Sequence, residues 1–430
     1  MKYYPAFLIG ISVTFCYSSC MYLFSALLLT WENELGISRN NLTFIYSLGL
    51  VLHSLLLPIL GKFVDKNLSF QMMWASPILL GLSVIYLSLA NTYTEFLVAW
   101  LLVSGTSGGC LYTMLFSVIT INLKSKAKTS IAIITLFAGF ASTYTFPTAT
   151  YLTEQYDWRF TVLIFGLLNI LISSPANYFG FKNIIKKEFK IIKKKTYKNS
   201  RLLIILKDNR FWLFSFSLFV VGFNAGAITT HIIPMLQDKG LSLALAVLTA
   251  SMFGPGQVLG RILVMIFGGN KANIKLFVIC FYSLILGTIF LYFINFNHYL
   301  AFLFVLFNSA AYGSMAILKP LVQNDAFGQK NFGNVHGILA LLYMIGSILG
   351  PWIGSLIWNV GGYDLLIFIF FILAIFGNVT AIFLNKKKFI FGISKFSTLA
   401  RSSYFLSLTA SCIKGCLINS FASSSEKLPP

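Results

Sequence analysis

Charge is what this sequence has least of. Of its 430 residues only 10% are charged, against roughly a quarter in an ordinary soluble domain, which excludes a water-soluble globular fold. Acids are scarcest: 12 Asp and Glu stand against 32 Lys and Arg, and no long apolar segment holds an acid in its interior. The chain also has no helical HExxH, no GxSxG, no paired acids and no clustered metal ligands, so neither an enzyme nor a cofactor is expected. Cysteines number six, and Cys16, Cys20, Cys110 and Cys280 fall inside apolar segments, where they read as small buried residues and not as a disulfide framework. The first apolar segment lacks a small-residue cleavage pattern and is too long for a signal peptide core, so it reads as a spanning helix.

What is present is apolar length. Hydrophobic residues make up 57% of the chain and recur in uninterrupted segments. About 20 such residues, at 1.5 Å rise each, let a helix cross roughly 30 Å of hydrocarbon. Twelve spans are expected, over 5–30, 42–60, 70–90, 95–121, 130–153 and 160–180, then 211–234, 242–268, 274–296, 299–321, 334–358 and 364–385. Between the sets lies a segment, 181–210, with eleven Lys or Arg against two acids. The fold class is therefore an all-α membrane protein with twelve transmembrane helices in two six-helix pseudo-repeat halves. The domain reading is an N-terminal bundle 1–180, a basic linker 181–210, a C-terminal bundle 211–385 and a tail 386–430.

Threading the spans alternately sorts the charges. One side collects 28 basic residues, among them Lys62, Lys66, Lys124, Lys271, Lys275, Lys319 and Lys330. The other has Arg39, Arg159 and Lys239 with seven acids, Glu32, Glu34, Glu95, Glu154, Asp157, Asp238 and Asp364. Short cytoplasmic loops collect Lys and Arg, so both termini are expected in the cytoplasm. The net charge of +20 is thereby explained by orientation and anionic lipid, with no nucleic acid partner. A plasma or inner membrane fits the lysine-rich loops and the lack of an organellar presequence. In the serine-rich tail, Lys395, Arg401 and Lys414 argue against a thirteenth span; a membrane-surface segment or disorder is expected there, with Cys412 and Cys416 four apart.

Two halves joined by a basic segment, with GKFVDK (Gly61 to Lys66) between spans 2 and 3, resemble the major facilitator superfamily of secondary transporters. The resemblance implies a site near the midplane between the halves. It also gives Asp65 and Lys66 a gating role, although Asn67, Leu68 and Ser69 replace the rest of the family signature and Asn270 stands where the second-half copy has an acid. Span 4 (SGTSGGCLYTM) lacks the arginine of proton-coupled drug exporters. A closer resemblance, to the monocarboxylate and oxalate/formate exchanger branch, rests on Thr230 to Leu263, Glu154 to Phe160 and Ala311 to Gly337. Glycines at four-residue spacing in span 11 (GSILGPWIGS) read as packing devices.

Arg261 sits inside span 8, in GPGQVLGRIL, five or six residues from the helix centre. A guanidinium in hydrocarbon costs at least about 2.5–3.5 kcal/mol, so it should face a cavity or a partner, and no interior acid is available to pair with it. Its planar fork suits a carboxylate, which is the role of the arginine at this place in the resembled branch. Gln257, one turn earlier, shares its face and can orient the ligand, but cannot titrate where the branch carries an aspartate. That removes the titratable group on which the branch's usual proton route rests. His231, near the outer end of span 7, is a candidate for the proton step or for a helix-end hydrogen bond, with His53 a weaker one. Tyr17, Tyr112 and Asn224, near the middles of spans 1, 4 and 7, are candidates to line a cavity or to tie helices together. Lys319, just before Pro320, either snorkels or acts as an anion contact and gate.

The expected function is alternating-access transport of a small organic anion, monocarboxylate-like, by proton symport or exchange against a counter-anion. The competing expectation is a neutral metabolite or drug, with Arg261 structural. Beyond passenger, lipid and a coupling ion, no partner is expected, and a monomer suffices.

Overall fold

The computed structural model describes residues 3–65, 68–123, 126–182, 184–185, 206–268, 273–328 and 332–384, and of 64–65 and 332–334 the backbone alone. Lys66, most of the 181–210 linker and the 386–430 tail lie outside the described residues, and the Asp65 side chain with them.

Eleven helical runs are long and apolar enough to cross a membrane. The last of them, Phe332–Phe383, is two helices: Gly361 and Gly362 leave helical geometry, and Gly362 has φ +68°, a left-handed value that costs glycine little. Splitting there gives the expected twelve. They are α1 (Tyr4–Glu34), α2 (Arg39–Asp65), α3 (Ser69–Leu87), α4 (Tyr93–Leu123), α5 (Ala127–Gln155) and α6 (Trp158–Lys182), then α7 (Asn209–Asp238), α8 (Leu243–Phe267), α9 (Asn273–Asn295), α10 (Leu300–Phe327), α11 (332–360) and α12 (363–383).

Polar residues at the ends say where the helices start. Thr92 and Glu95 form a reciprocal capping box before α4, Asp157 accepts from the Phe160 N–H before α6 at 2.5 Å, and Ser242 caps α8. Each satisfies amide hydrogens that a helix leaves without partners. The outer faces stay apolar, with Leu171, Ile266 and Phe376 exposed; in water this would be a liability, in lipid it is the contact surface.

Short connections alternate the helices, gathering Glu32, Glu34, Glu95, Glu154, Asp157, Asp238 and Asp364 at one end, here called the acidic end. The opposite, lysine-rich end carries Lys62, Lys126, Lys128 and Lys275. In the first half, α1 and α6 each contain a π-turn, Ser18–Tyr22 and Asn169–Ser173. These irregular turns meet: Asn169 Nδ2 donates to Ser19 Oγ at 2.6 Å, and Ser173 Oγ to the Ser12 carbonyl at 3.3 Å. A ring cluster fills that half near its acidic end, with Trp31 edge-on to Phe96 (4.9 Å) and Phe24 (5.5 Å). In the second half α7 and α11 approach closely. Methyl groups at Gly222 or Gly226 would strike the Tyr343 and Ser347 carbonyls, and at Gly346 or Gly350 those of Phe219 and Phe223. The glycine spacing in α11 therefore brings two backbones together, as expected.

Candidate functional site

Between the halves lies a cavity of about 260 Å³. Its wall is built by α1, α2, α7, α10 and α11, with Tyr17, Tyr22, Tyr46, Tyr312 and Tyr343 as its main rings and His53 among its polar groups. No described lining residue is a carboxylate.

The cavity is shut at the acidic end by contacts across the halves. Arg39, at the start of α2, donates to Glu32 Oε2 from Nε (2.9 Å) and Nη2 (2.7 Å), and from Nη1 to the Tyr363 hydroxyl of α12 (3.1 Å). Its guanidinium also lies 3.8 Å over the Trp358 ring of α11. One turn further, Thr43 and Ser355 share a hydrogen bond of 2.7 Å, and Phe44 meets Trp352 edge-on. On the other flank Thr143 of α5 donates to the Ser251 carbonyl of α8 at 2.8 Å, and a methyl on Gly254 would overlap the Gly139 carbonyl. Toward the lysine-rich end, α2 and α11 expose Leu55, Ile59, Leu341 and Ile345, and no hydrogen bond joins these two helices there among the described residues. The protein is caught closed at one end and open toward the other.

Tyr17 is on the wall. Tyr112 is not; its ring lies tilted against that of Tyr17 at 4.7 Å, and its hydroxyl faces Arg261. Arg261 and Gln257 also stand behind the wall. Arg261 is 5% exposed; its Nη1 donates to the Thr135 carbonyl of α5 and its Nη2 to Gln257 Oε1 at 3.2 Å. Gln257 Nε2 in turn donates to the hydroxyl of Tyr22, which lines the cavity, at 3.2 Å. The guanidinium is thus one side chain removed from the chamber. Among the described residues no carboxylate pairs with it, and its Nε–H is buried without an acceptor.

Asn224 and His231, candidates either for the site or for ties between helices, both lie off the cavity wall. Asn224 is buried within the second half, accepting from Asn308 Nδ2 at 3.5 Å, and only its neighbours Ala225 and Gly226 reach the wall. A polar mid-helix residue does not reveal from sequence which face it takes. His231 is fully buried, with Nε2 2.9 Å from the Pro351 carbonyl and Nδ1 3.1 Å from the Tyr363 hydroxyl. A carbonyl only accepts, so Nε2 carries the hydrogen and Nδ1 accepts from Tyr363, whose oxygen receives Arg39. His231 completes the acidic-end closure and does not touch the cavity. Lys319 does not reach outward from its helix end; its ammonium rests 3.5 Å over the ring of Tyr343, a wall residue. Sequence reasoning missed Tyr22, Tyr46, Tyr312 and Tyr343, although each is a tyrosine well inside an apolar span, the signal that singled out Tyr17 and Tyr112. It also missed Arg39, placed as an outer-loop charge.

The Tyr363 hydroxyl is the link between Arg39 and His231, so Tyr363→Phe should loosen the closed end without unfolding a half. Leaving the buried Nδ1 without a donor costs about 1–3 kcal/mol, or roughly five- to a hundredfold in closed-state population. A cysteine at Thr43 should then react with an impermeant maleimide added at the acidic end about ten times faster than in the parent; an unchanged rate would remove this network from the gate.

An all-helical bundle in two six-helix halves, with a chamber between them closed at one end, is the architecture of a transporter and not of an enzyme. The sequence pattern of the Major Facilitator Superfamily matches residues 10–351, and the chain belongs to that family. It is similar to an uncharacterized MFS-type transporter, YcxA, of Bacillus subtilis (strain 168), at 24% identity over 240 residues. That match covers 54% of this chain and 58% of the relative, so the chain spans less than two thirds of the relative's length. In fold it is similar to a bacterial homolog of the human lysosomal transporter Spinster, solved in inward-facing unoccupied and inward-facing occupied conformations. Each superposes with a TM-score of 0.61 over 89% of this chain and 95% of the other, at 15% identity, a likeness of fold.

Proposed function

We propose that the protein is a secondary transporter that moves a small organic anion, of the monocarboxylate kind, by alternating access. One observation carries the reading: the Arg261 guanidinium is buried beside the chamber with no carboxylate among the described residues to neutralise it. A cation kept in low dielectric at a cost of a few kcal/mol calls for an anion from outside the chain. Its present acceptors, the Thr135 carbonyl and Gln257 Oε1, are neutral, so a carboxylate that reached it past Tyr22 would replace two hydrogen bonds to uncharged acceptors with an ion pair.

The exchange ties binding to motion. Thr135 belongs to α5 and Arg261 to α8, so their bond holds the halves together. A passenger that captures the guanidinium releases α8 from α5, giving it unequal affinity for the two states, as any ligand-driven shift requires. Tyr17 and Tyr112 frame the approach, Gln257 orients the fork, and Lys319 on Tyr343 offers a second positive charge on the open side. The tyrosine-lined wall suits a passenger with an apolar body. Asp65 and Lys66 keep a proposed gating role at the lysine-rich end. In this reading that end and both termini are cytoplasmic, the membrane is the cell membrane, and a monomer holds the whole chamber. Residues 1–180 and 211–385 are the two rocking bodies, joined by the basic linker.

Uptake of labelled pyruvate into proteoliposomes tests this. Short and branched monocarboxylates should compete, and their uncharged amides should not. Equal competition by the amides would point to a neutral passenger and a structural Arg261.

A further inference from the structure

The hydrogen bonds around His53 fix where its proton sits. Its Nδ1 lies 2.9 Å from Ser107 Oγ of α4, and that oxygen lies 2.7 Å from the Ser104 carbonyl. A hydroxyl has one hydrogen and a carbonyl can only accept. Ser107 therefore gives its hydrogen to Ser104, and Nδ1 must be the donor to Ser107. In a neutral imidazole the other nitrogen, Nε2, is then a bare lone pair on a ring that lines the cavity. The nearby wall hydroxyls do not fill it: Ser54 donates to the Leu50 carbonyl at 2.7 Å and Ser347 to the Tyr343 carbonyl at 3.2 Å. His231, by contrast, has both ring nitrogens engaged and no exposure.

The titratable groups facing His53 are few. They are Tyr17 and Tyr22 from α1, Tyr46 on its own helix, Tyr312 from α10 and Tyr343 from α11 with Lys319 stacked on it. On α4, the Cys110 thiol donates to the Ser107 carbonyl at 3.4 Å. No described residue of the wall is an acid, so an imidazolium here has no fixed counter-charge.

We propose that His53 carries the coupling proton, and that its counter-charge is the passenger itself. This rests on reading the passenger as an anion. With the chamber open at the acidic end, Nε2 takes a proton from water as the anion enters. With it open at the lysine-rich end, as here, anion and proton leave together and His53 returns neutral. Proton and monoanion then move one for one, with no net charge transported.

The test uses the full chain in liposomes loaded with a pH dye. His53→Asn keeps an N–H for Ser107 and removes the titratable nitrogen. Under a gradient of about one pH unit, wild type should accumulate pyruvate about tenfold, as one proton per anion requires, with acidification of the lumen. The variant should equilibrate pyruvate without accumulating it, and should keep pyruvate-for-pyruvate exchange. In parallel, diethyl pyrocarbonate, which attacks only an unprotonated ring nitrogen, should label His53 increasingly as pH rises and leave His231 unlabelled in the folded protein. Wild-type accumulation by His53→Asn, or an unreactive His53 at every pH, overturns the proposal while leaving the anion reading intact. A wild type that carries no carboxylate overturns the anion reading and this step with it.

Discussion

Arg261→Ala should lower carboxylate flux by at least about a hundredfold and leave the protein folded. The flux loss follows from two charge-assisted hydrogen bonds, each worth about 1.5–3 kcal/mol, at 1.4 kcal/mol per factor of ten. The folding effect is small because two terms oppose. Removing the side chain breaks its bonds to the uncharged acceptors of Thr135 and Gln257, worth about 1.5–3 kcal/mol each, but it also lifts the cost of about 2.5–3.5 kcal/mol of holding a cation in hydrocarbon. The Thr135 carbonyl lies in mid-helix and keeps its own ladder partner. Arg261→Lys keeps the charge and loses the fork, so it should recover only part of the flux. Initial rates of pyruvate exchange, normalised to protein recovered in size exclusion, give the comparison. A variant that folds and exchanges at the parental rate would leave Arg261 with no part in binding.

Gly254→Val should also cost more than tenfold in flux, for a different reason. Its added atoms would meet the Gly139 carbonyl and Ser142 Oγ across the α5–α8 contact, which joins opposite halves. Overpacking costs about 1–3 kcal/mol, and here it falls only on the state closed at the acidic end, shifting the balance toward the opposite state by about five- to a hundredfold. A cysteine at Leu50, on the cavity wall, should then react from the acidic side in Gly254→Val and from the lysine-rich side in the parent. Gly313→Val is the control: Gly313 abuts the Gln257 backbone within one half, so it should lower thermal stability and yield without reversing the labelling. If Gly254→Val leaves the labelling side unchanged, the contact does not govern access.

Most of the fold could be read from the chain because lipid leaves a helix few choices. Twelve apolar stretches of membrane length reappear as twelve helices, and only the short link at Gly361 and Gly362 hides one boundary inside a continuous helical run. Arg261 and Gln257 were legible as a pair because a buried charge without an acid is anomalous in any sequence. What composition could not supply was azimuth. Asn224 and Tyr17 are alike as mid-span polar residues, yet one faces another helix and the other the chamber. The role of Arg39 was hidden for a related reason: its partners Tyr363 and Trp358 lie more than three hundred positions away and meet it only through packing of the halves. The contrast between His231 and His53 was likewise invisible, since it depends on which nitrogens already have partners.

The most direct test of the unneutralised guanidinium as an anion anchor is equilibrium binding of pyruvate to the purified protein, wild type against Arg261→Ala, by isothermal titration calorimetry. Saturable binding that weakens at least about a hundredfold in the variant, with the amide of pyruvate binding neither protein, is the result this structure predicts. Equal affinity in both proteins, or equal binding of acid and amide, would contradict it.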